Sequence, residues 1–375
     1  MVTISLCMIV KNEALTLAEC LESVKGIADE IIIVDTGSTD KTKEIAQRYT
    51  DKIYDFEWID DFAAARNFSF SKATKEYILW LDADDRIHDK DRTAFLQLKQ
   101  TLAPDVDVVM MPYQTGLDAS GRPALTYYRE RLLRREAGFL WQEPVHEYIQ
   151  PSGKIIHAPI NVTHCKINHG LSRRNLEIYQ KQLNDGKKLS PRSVLYFGME
   201  LYYHREYAEA AARLQQFLDE GQGWVEDNIK ACFYLGKIYG LLGDFEKSIQ
   251  SFITAFRYDL PRAEHCCEIG YLYKTRRDYH RALFWFDMAA RLKRPENNWG
   301  FYFNDYWGYI PYIELSVIHY WLGNLDVAIE YNERAAAIKP DDKAVLYNRK
   351  FYEDEKIRRL TVKGLDVADE MDIIK

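Results

Sequence analysis

No apolar run in this 375-residue chain is longer than four or five residues, far short of the stretch that crosses a membrane. The first residues, Met1-Val2-Thr3-Ile4-Ser5-Leu6-Cys7-Met8-Ile9-Val10-Lys11, lack the basic opening and small-residue cleavage site of an export signal, and read as a first strand. A concentrated basic face is missing too. With 50 Lys and Arg against 57 Asp and Glu, the net charge is 50 − 57 = −7, which argues against binding nucleic acid through bulk electrostatics. Cysteine is scarce: Cys7, Cys20, Cys165, Cys232, Cys266 and Cys267 form no C-x-x-C pair and no disulfide framework. These absences together point to a reduced, cytoplasmic setting without an integral membrane segment.

What is present is a globular balance, with 47% hydrophobic and 29% charged residues and length enough for two or three domains. Up to about residue 110, strand-like runs alternate with helical ones. The strands are Ile4–Val10, Glu30–Val34, Lys52–Phe56, Tyr77–Leu81 and Val106–Met111. The helices between them are Ala14–Lys25, Ser38–Tyr49, Asp61–Ala73 and Asp89–Gln100. Such alternation with short connections predicts a mostly parallel, Rossmann-like α/β sheet covered on both faces, with ligands outside the carboxyl ends of its strands. Further strand-like pieces, Ala124–Leu133 and Lys154–Val162, complete this first domain, over residues 1–175.

Residues 176–360 have a different grammar, all helical and repetitive, with 361–375 as a tail. Four pairs, Glu206-Tyr207, Asp244-Phe245, Asp278-Tyr279 and Asn324-Leu325, are each followed three residues later by Ala210, Ser248, Ala282 or Ala328. Gly198, Gly236, Gly270 and Ser316 precede the anchors by nine residues. Small residues at matched offsets let paired helices approach closely. The anchors are 38, 34 and 46 apart; the middle spacing is the tetratricopeptide period, and the last implies an insertion near 294–305. Trp299, Phe301, Tyr302, Phe303, Tyr306 and Trp307 make that insertion a candidate platform or self-association surface, or the filling of a helix pair.

Polar clusters fall at the strand ends. Asp82-Ala83-Asp84-Asp85 follows Tyr77–Leu81; carboxylates two apart there can hold Mg²⁺ or Mn²⁺ with the phosphates of a ligand, or form a solvated turn. Asp35-Thr36-Gly37-Ser38-Thr39-Asp40 can present a carboxylate to a base edge, or simply join strand to helix with good caps. Val10-Lys11-Asn12-Glu13 ends the first strand, and Arg66-Asn67 lies in the helix feeding the carboxylate strand. Trp141 can stack on a sugar or fill the core. A zinc site at His164, Cys165 and His169 would lack a fourth ligand.

In this order, CMIVKNE, EIIIVDTGSTDKT, AAARN and WLDADD resemble the family 2 glycosyltransferases of the GT-A fold, over about the first 170 residues. With tetratricopeptide repeats behind it, the chain is similar to a bacterial subgroup that includes cysteine S-glycosyltransferases of bacteriocin pathways. The resemblance implies a UDP-sugar donor, a Mn²⁺ or Mg²⁺ ion and inversion at the anomeric carbon. It implies that Asp35 meets the base, that Val10, Glu13, Arg66, Asp82, Ala83 and Trp141 line the nucleotide-sugar site, and that Asp84, Asp82 and His164 hold the metal. The stretch Gly138–Glu147 ends in V-H-E, like the subgroup's His-Glu. Glu147 is then the general base for an oxygen nucleophile, with His146 or Glu143 in reserve; a thiolate acceptor needs less help.

The expected activity is transfer of a hexose or N-acetylhexosamine to a peptide or protein side chain (Cys, Ser or Thr) presented by the repeats, in a chain that can pair through them as a homodimer. The alternatives are an inactive scaffold that binds a protein partner and a glycosyltransferase acting on a cell-surface glycan. A sugar-nucleotide pyrophosphorylase is set aside, because its first loop is glycine-rich and basic, whereas this one reads Val10-Lys11-Asn12-Glu13.

Overall fold

The computed structural model describes residues 1–118, 121–165, 172–294, 300 and 302–372, with 362–372 by backbone only. His169, Trp299 and Phe301 lie outside the described residues. The chain forms two compact units, 1–223 with 299–302, and 224–298 with 303–375.

The first unit opens with β1 (Ile4–Val10), α1 (Leu17–Ser23), β2 (Glu30–Asp35), α2 (Thr42–Ala46), β3 (Ile53–Asp55), α3 (Phe62–Phe70) and β4 (Tyr77–Trp80). After β5 (Asp85–Arg86) and α4 (Asp89–Thr101) come β6 (Val108–Leu117), β7 (Pro123–Arg134), β8 (Trp141–Gln142), β9 (Tyr148–Ile149), β10 (Ile155–His157) and β11 (Val162–His164). The main sheet runs β3-β2-β1-β4-β7-β6-β11-β5, with β10 beside β6. The strands β3, β2, β1 and β4 are parallel, while β7 is antiparallel to both β4 and β6, so the sheet is mixed. Alternation along β1 explains the two covered faces. Ile4, Leu6, Met8 and Val10 enter one core with Leu17, Leu21 and Phe95, while Cys7 enters the other with Ile78, Trp80 and Met110.

The helix expected over Ser38–Tyr49 is reduced to Thr42–Ala46. Ser38, Thr39 and Asp40 are committed elsewhere: their side chains and amides bond to Asn12, Ala14 and Thr42, which fixes a loop where helix was expected. The unit continues through α5 (Arg174–Asn184), α6 (Pro191–Tyr203) and α7 (Tyr207–Glu220), helices beyond the boundary expected at 175.

In the second unit, α8 (Val225–Leu241) pairs with α9 (Phe245–Thr254), α10 (Ala263–Thr275) with α11 (Tyr279–Arg291), and α12 (Tyr309–Trp321) with α13 (Leu325–Ile338). The long α14 (Lys343–Asp372) closes it and runs through most of the expected tail. The repeat spacing has a direct physical cause. A Cβ added at Gly236 would lie 2.5 Å from Phe252, and one at Gly270 would lie 2.8 Å from Phe286. Ser316 takes the same place in the third pair, its hydroxyl donating to Ala328 O at 2.8 Å. From the insertion, Trp307 donates its indole N–H to Glu264 (2.7 Å), Tyr306 bonds Glu268, and Phe303 stacks on Phe233. These rings are packed within the unit. Among the described residues, no helix is long and apolar enough to cross a membrane.

One buried carboxylate ties the early strands together. Glu30 accepts hydrogen bonds from Ser5 Oγ, Lys52 Nζ and the Thr74 N–H (2.9 Å) and hydroxyl (2.8 Å). Burial pushes its pKa up, but Lys52, Ser5 and Thr74 outweigh that and bring it down to about 2. A depressed carboxylate stabilises the fold above its ordinary pKa, and that stability is lost as pH falls through the folded value. Glu30→Gln is therefore expected to destabilise the protein by about 2–3 kcal/mol at pH 7. In denaturant unfolding, the gap from wild type should close between about pH 4.5 and 2; a gap independent of pH would contradict this assignment.

Candidate active site

The parallel strands β1, β2 and β4 end side by side, and their following loops form the site. In-register pairing puts Val10 opposite Asp35, and the Val10 carbonyl accepts the Thr36 N–H at 2.9 Å. The two loops are laced together: Asn12 N donates to Ser38 Oγ (3.0 Å), Thr39 N to Asn12 Oδ1 (2.8 Å), and Glu13 N to Thr42 Oγ1 (2.7 Å). Gly37 takes φ +97°, a turn that a side chain would strain. That turn aims the Gly37 and Ser38 amides at Asp35 Oδ2, at 3.1 and 3.0 Å. Asp35 Oδ1 is buried and has no hydrogen-bond partner among the described residues. A carboxylate fixed through one oxygen with the other in reserve is suited to accept from a ligand N–H, such as a pyrimidine imide.

Beyond β4, Arg66 from α3 reaches between two acids. Its Nη2 donates to Asp82 Oδ1 at 2.7 Å and its Nε to Glu147 Oε1 at 2.6 Å. The guanidinium is buried against the rings of Trp141 (4.8 Å) and Trp80 (5.2 Å). Although burial opposes its charge, Asp82 and Glu147 hold Arg66 firmly protonated. Burial likewise raises Asp82, but Arg66, Arg131 and Arg129 outweigh it and keep that carboxyl below its usual range. Trp141 is 3% exposed, so its ring backs the site from inside the core.

Asp85 sets the shape of the carboxylate turn. It is fully buried, with Oδ2 accepting from the Asp82 N–H (3.1 Å) and ion-paired with Arg131 Nη1 (3.0 Å), and Oδ1 accepting from the Tyr113 hydroxyl (2.9 Å). Arg131 is itself enclosed between the rings of Trp80 (3.9 Å) and Tyr113 (4.4 Å). Antiparallel pairing of β11 with β5 then brings His164 opposite Asp85. His164 Nδ1 lies 3.3 Å from Asp84 Oδ1 and 3.5 Å from Asp85 Oδ1. Burial pushes the imidazole down, but Asp84 and Asp85 win and raise it to about 10.

Asp84, Asp85 and His164 have ligand atoms within 4.8 Å of one another, the one such trio among the described residues. The structure thus brings expected Asp84 and His164 together, with Asp85 beside them and Asp82 turned to Arg66. The donor set fits a divalent cation: one accessible carboxylate and one accessible imidazole, 20% and 22% exposed, over a buried second carboxylate. Ala83, between the two aspartates, is buried.

The stretch ending in V-H-E is pinned from three sides. Pro144 O accepts from Phe62 N (2.9 Å), Val145 O from the Tyr179 hydroxyl (3.4 Å), and His146 O from Arg192 Nε (3.4 Å). Glu143 and His146 both adopt positive φ, +70° and +53°. Glu143 accepts from Ser193 Oγ at 2.6 Å, and His146 Nε2 meets Glu200 Oε1 at 2.8 Å. Sequence reasoning named Asp85 only as part of the carboxylate cluster, without its role, and did not single out Arg131 or Glu200. Arg131 and Glu200 carry a signal, a charged residue inside a strand-like or apolar run, whereas nothing local sets Asp85 apart from its acidic neighbours.

Residues 5–169 match the family described as glycosyl transferase family 2, and residues 229–260 match a tetratricopeptide repeat. A TPR repeat-containing protein of Synechococcus elongatus is 40% identical over 154 residues, 40% of this chain and 36% of its own length. The SPbeta prophage-derived glycosyltransferase SunS of Bacillus subtilis is 28% identical over 232 residues, 58% of this chain and 53% of its own. The lipopolysaccharide core biosynthesis glycosyltransferase LpsC of Rhizobium meliloti is 29% identical over 154 residues, 38% of this chain and 56% of its own. Each alignment therefore spans between about a third and somewhat over half of the relative. Strand-end loops, carboxylate turn and family match coincide on the same residues: this chain carries a family 2 glycosyltransferase domain of the GT-A type, joined to tetratricopeptide repeats.

Proposed function

We propose that this chain is an inverting, divalent-cation-dependent glycosyltransferase. It would move a hexose or N-acetylhexosamine from a UDP-sugar to a peptide or protein side chain recruited by the repeats. The observation that carries the reading is the convergence of Asp84 and His164 on one point near the strand ends where Asp35 keeps a carboxylate oxygen in reserve. Likeness to the glycosyltransferase SunS supports the activity, and the repeats support a protein or peptide acceptor. The described cysteines are all unpaired and all but Cys165 are buried, which suits a reducing, cytoplasmic setting.

In this reading Asp35 accepts from the imide of the base, beside Val10 and Glu13, and Arg66 keeps Asp82 aligned toward the donor. Asp84 and His164, with Asp85 behind them, hold Mn²⁺ or Mg²⁺. Bound there, the cation supplies Lewis-acid stabilisation of the charge that builds on the leaving diphosphate. The acceptor attacks the anomeric carbon from the side opposite UDP, which inverts it, and a group of the V-H-E stretch takes up the acceptor's proton. The likeness to LpsC favours a second acceptor class, a surface glycan, with the same donor chemistry.

Two substitutions separate the parts of the donor site. Asp35→Asn should weaken uridine and UDP alike, by about tenfold or more, since it removes a charge-assisted hydrogen bond to the base. Asp84→Asn should spare uridine, yet weaken Mn²⁺-dependent UDP binding by at least about tenfold and abolish sugar transfer. Calorimetric titration with and without Mn²⁺ checks both. Wild-type protein that binds UDP under neither condition would leave the scaffold reading in its place.

A further inference from the structure

The V-H-E stretch offers two neighbouring proton acceptors, and their surroundings differ. Glu147 is bound to Arg66 at 2.6 Å, with a side chain only 13% exposed, and Arg66 needs it as one of two counter-charges. Its Oε1 is committed to that guanidinium, and a proton placed there would leave a buried charge half-paired. His146 is placed the other way. Its Nε2 faces Glu200 Oε1 at 2.8 Å, and among the described residues its Nδ1 makes no hydrogen bond; the side chain is 29% exposed.

Everything around His146 fixes its orientation. The ring stacks on Tyr196 at 4.3 Å with planes 22° apart. Arg192 lies over that tyrosine and also bonds the His146 carbonyl. Glu200 sits within an unbroken buried run of α6, Ser193–Leu201, and its Oε1 also accepts from Asn175 Nδ2 at 3.0 Å. Burial pushes Glu200 up, while the hydrogen bonds from His146 and Asn175 bring it down, so it stays a carboxylate. The charged and titratable groups facing this pair from its neighbours are Arg192 and His204 from α6 and its end and Arg174 from α5. A buried carboxylate on one ring nitrogen fixes the tautomer that leaves the other nitrogen as the acceptor. His146 also holds a positive φ, which costs free energy and persists only where the surroundings impose it.

We infer that His146 is the general base of the proposed transfer, that Glu200 is its positioning residue, and that Glu147 is the counter-ion of Arg66. The inference rests on the glycosyl-transfer reading. The acceptor oxygen bonds to the anomeric carbon as that carbon's bond to the diphosphate oxygen breaks. UDP leaves with the electron pair, and the acceptor's proton passes to Nδ1 of His146. Glu200 comes from a helix beyond residues 5–169, so the family 2 domain alone would lack part of its base.

The test is hydrolysis of UDP-glucose, UDP-galactose and their N-acetylamino counterparts by the full chain with Mn²⁺, water serving as acceptor and released UDP as readout. His146→Gly suits the positive φ, and His146→Asn provides a second variant that tolerates it. Both are expected to lose about 100-fold or more in kcat with KM changed less than about threefold. Imidazole in the buffer should restore His146→Gly by about tenfold or more, which a merely structural residue would not show. Glu200→Gln should lower kcat by about tenfold, with Glu200→Asp retaining more of it. Glu147→Gln should instead weaken UDP binding, without imidazole rescue. Turnover by both His146 variants at the wild-type rate, or a loss that imidazole leaves unchanged, overturns the inference while the glycosyltransferase reading stands. Wild-type protein that neither binds UDP nor hydrolyses any donor overturns both.

Discussion

A buried guanidinium must be paired, and Arg66 is paired twice. Its fork joins α3 to the end of β4 through Asp82 and to the V-H-E stretch through Glu147. Three segments far apart in sequence are thereby held by one side chain that cannot shed its charge. Removing either acid would leave the buried guanidinium half-paired, and removing both would leave it uncompensated, a cost of about 3–5 kcal/mol in comparable settings. The arrangement therefore imposes specificity of geometry more than it adds stability, and the site follows from it.

The carboxylate turn solves a related problem. Asp82, Asp84 and Asp85 repel one another, and four adjacent positions cannot all face the same way. Asp82 is neutralised by Arg66 and Asp85 by Arg131, each guanidinium packed against Trp80. Asp84 is left with His164, a partner that can exchange its proton for a cation. The two arginines thus spend the charge of two acids inside the fold and leave the third for chemistry. Aromatic rings matter here because they accept cations face-on while excluding water, so these pairs act in a low dielectric.

Much of this was legible beforehand, and the reasons are local. Strands such as Glu30–Asp35 and Tyr77–Trp80 are short apolar runs that can only be buried, and the acids that follow them mark where the strands meet water. The repeat spacing was legible because Gly236 and Gly270 stand where a Cβ cannot fit. Helix α2 came out short because Asn12, a residue from another loop, accepts from the Thr39 N–H and donates its own N–H to Ser38 Oγ. The roles of Asp85, Arg131 and Glu200 depend on strand pairing and helix docking, which bring residues together across sequence separations that no local pattern records. The third acid of Asp82-Ala83-Asp84-Asp85 looks like its neighbours until Tyr113 and Arg131 are placed on it.

The central claim, that the two-way grip of Arg66 organises the proposed donor site, is tested most directly by titrating UDP into Arg66→Lys in the presence of Mn²⁺. Lysine keeps the charge but lacks the planar fork that reaches two carboxylates at once. The account predicts that affinity for UDP falls by at least about tenfold, while uridine, held at Asp35, binds as in wild type. Wild-type affinity for UDP in that variant would contradict it: a point charge would then suffice, and the bridge between Asp82 and Glu147 would not be what shapes the site.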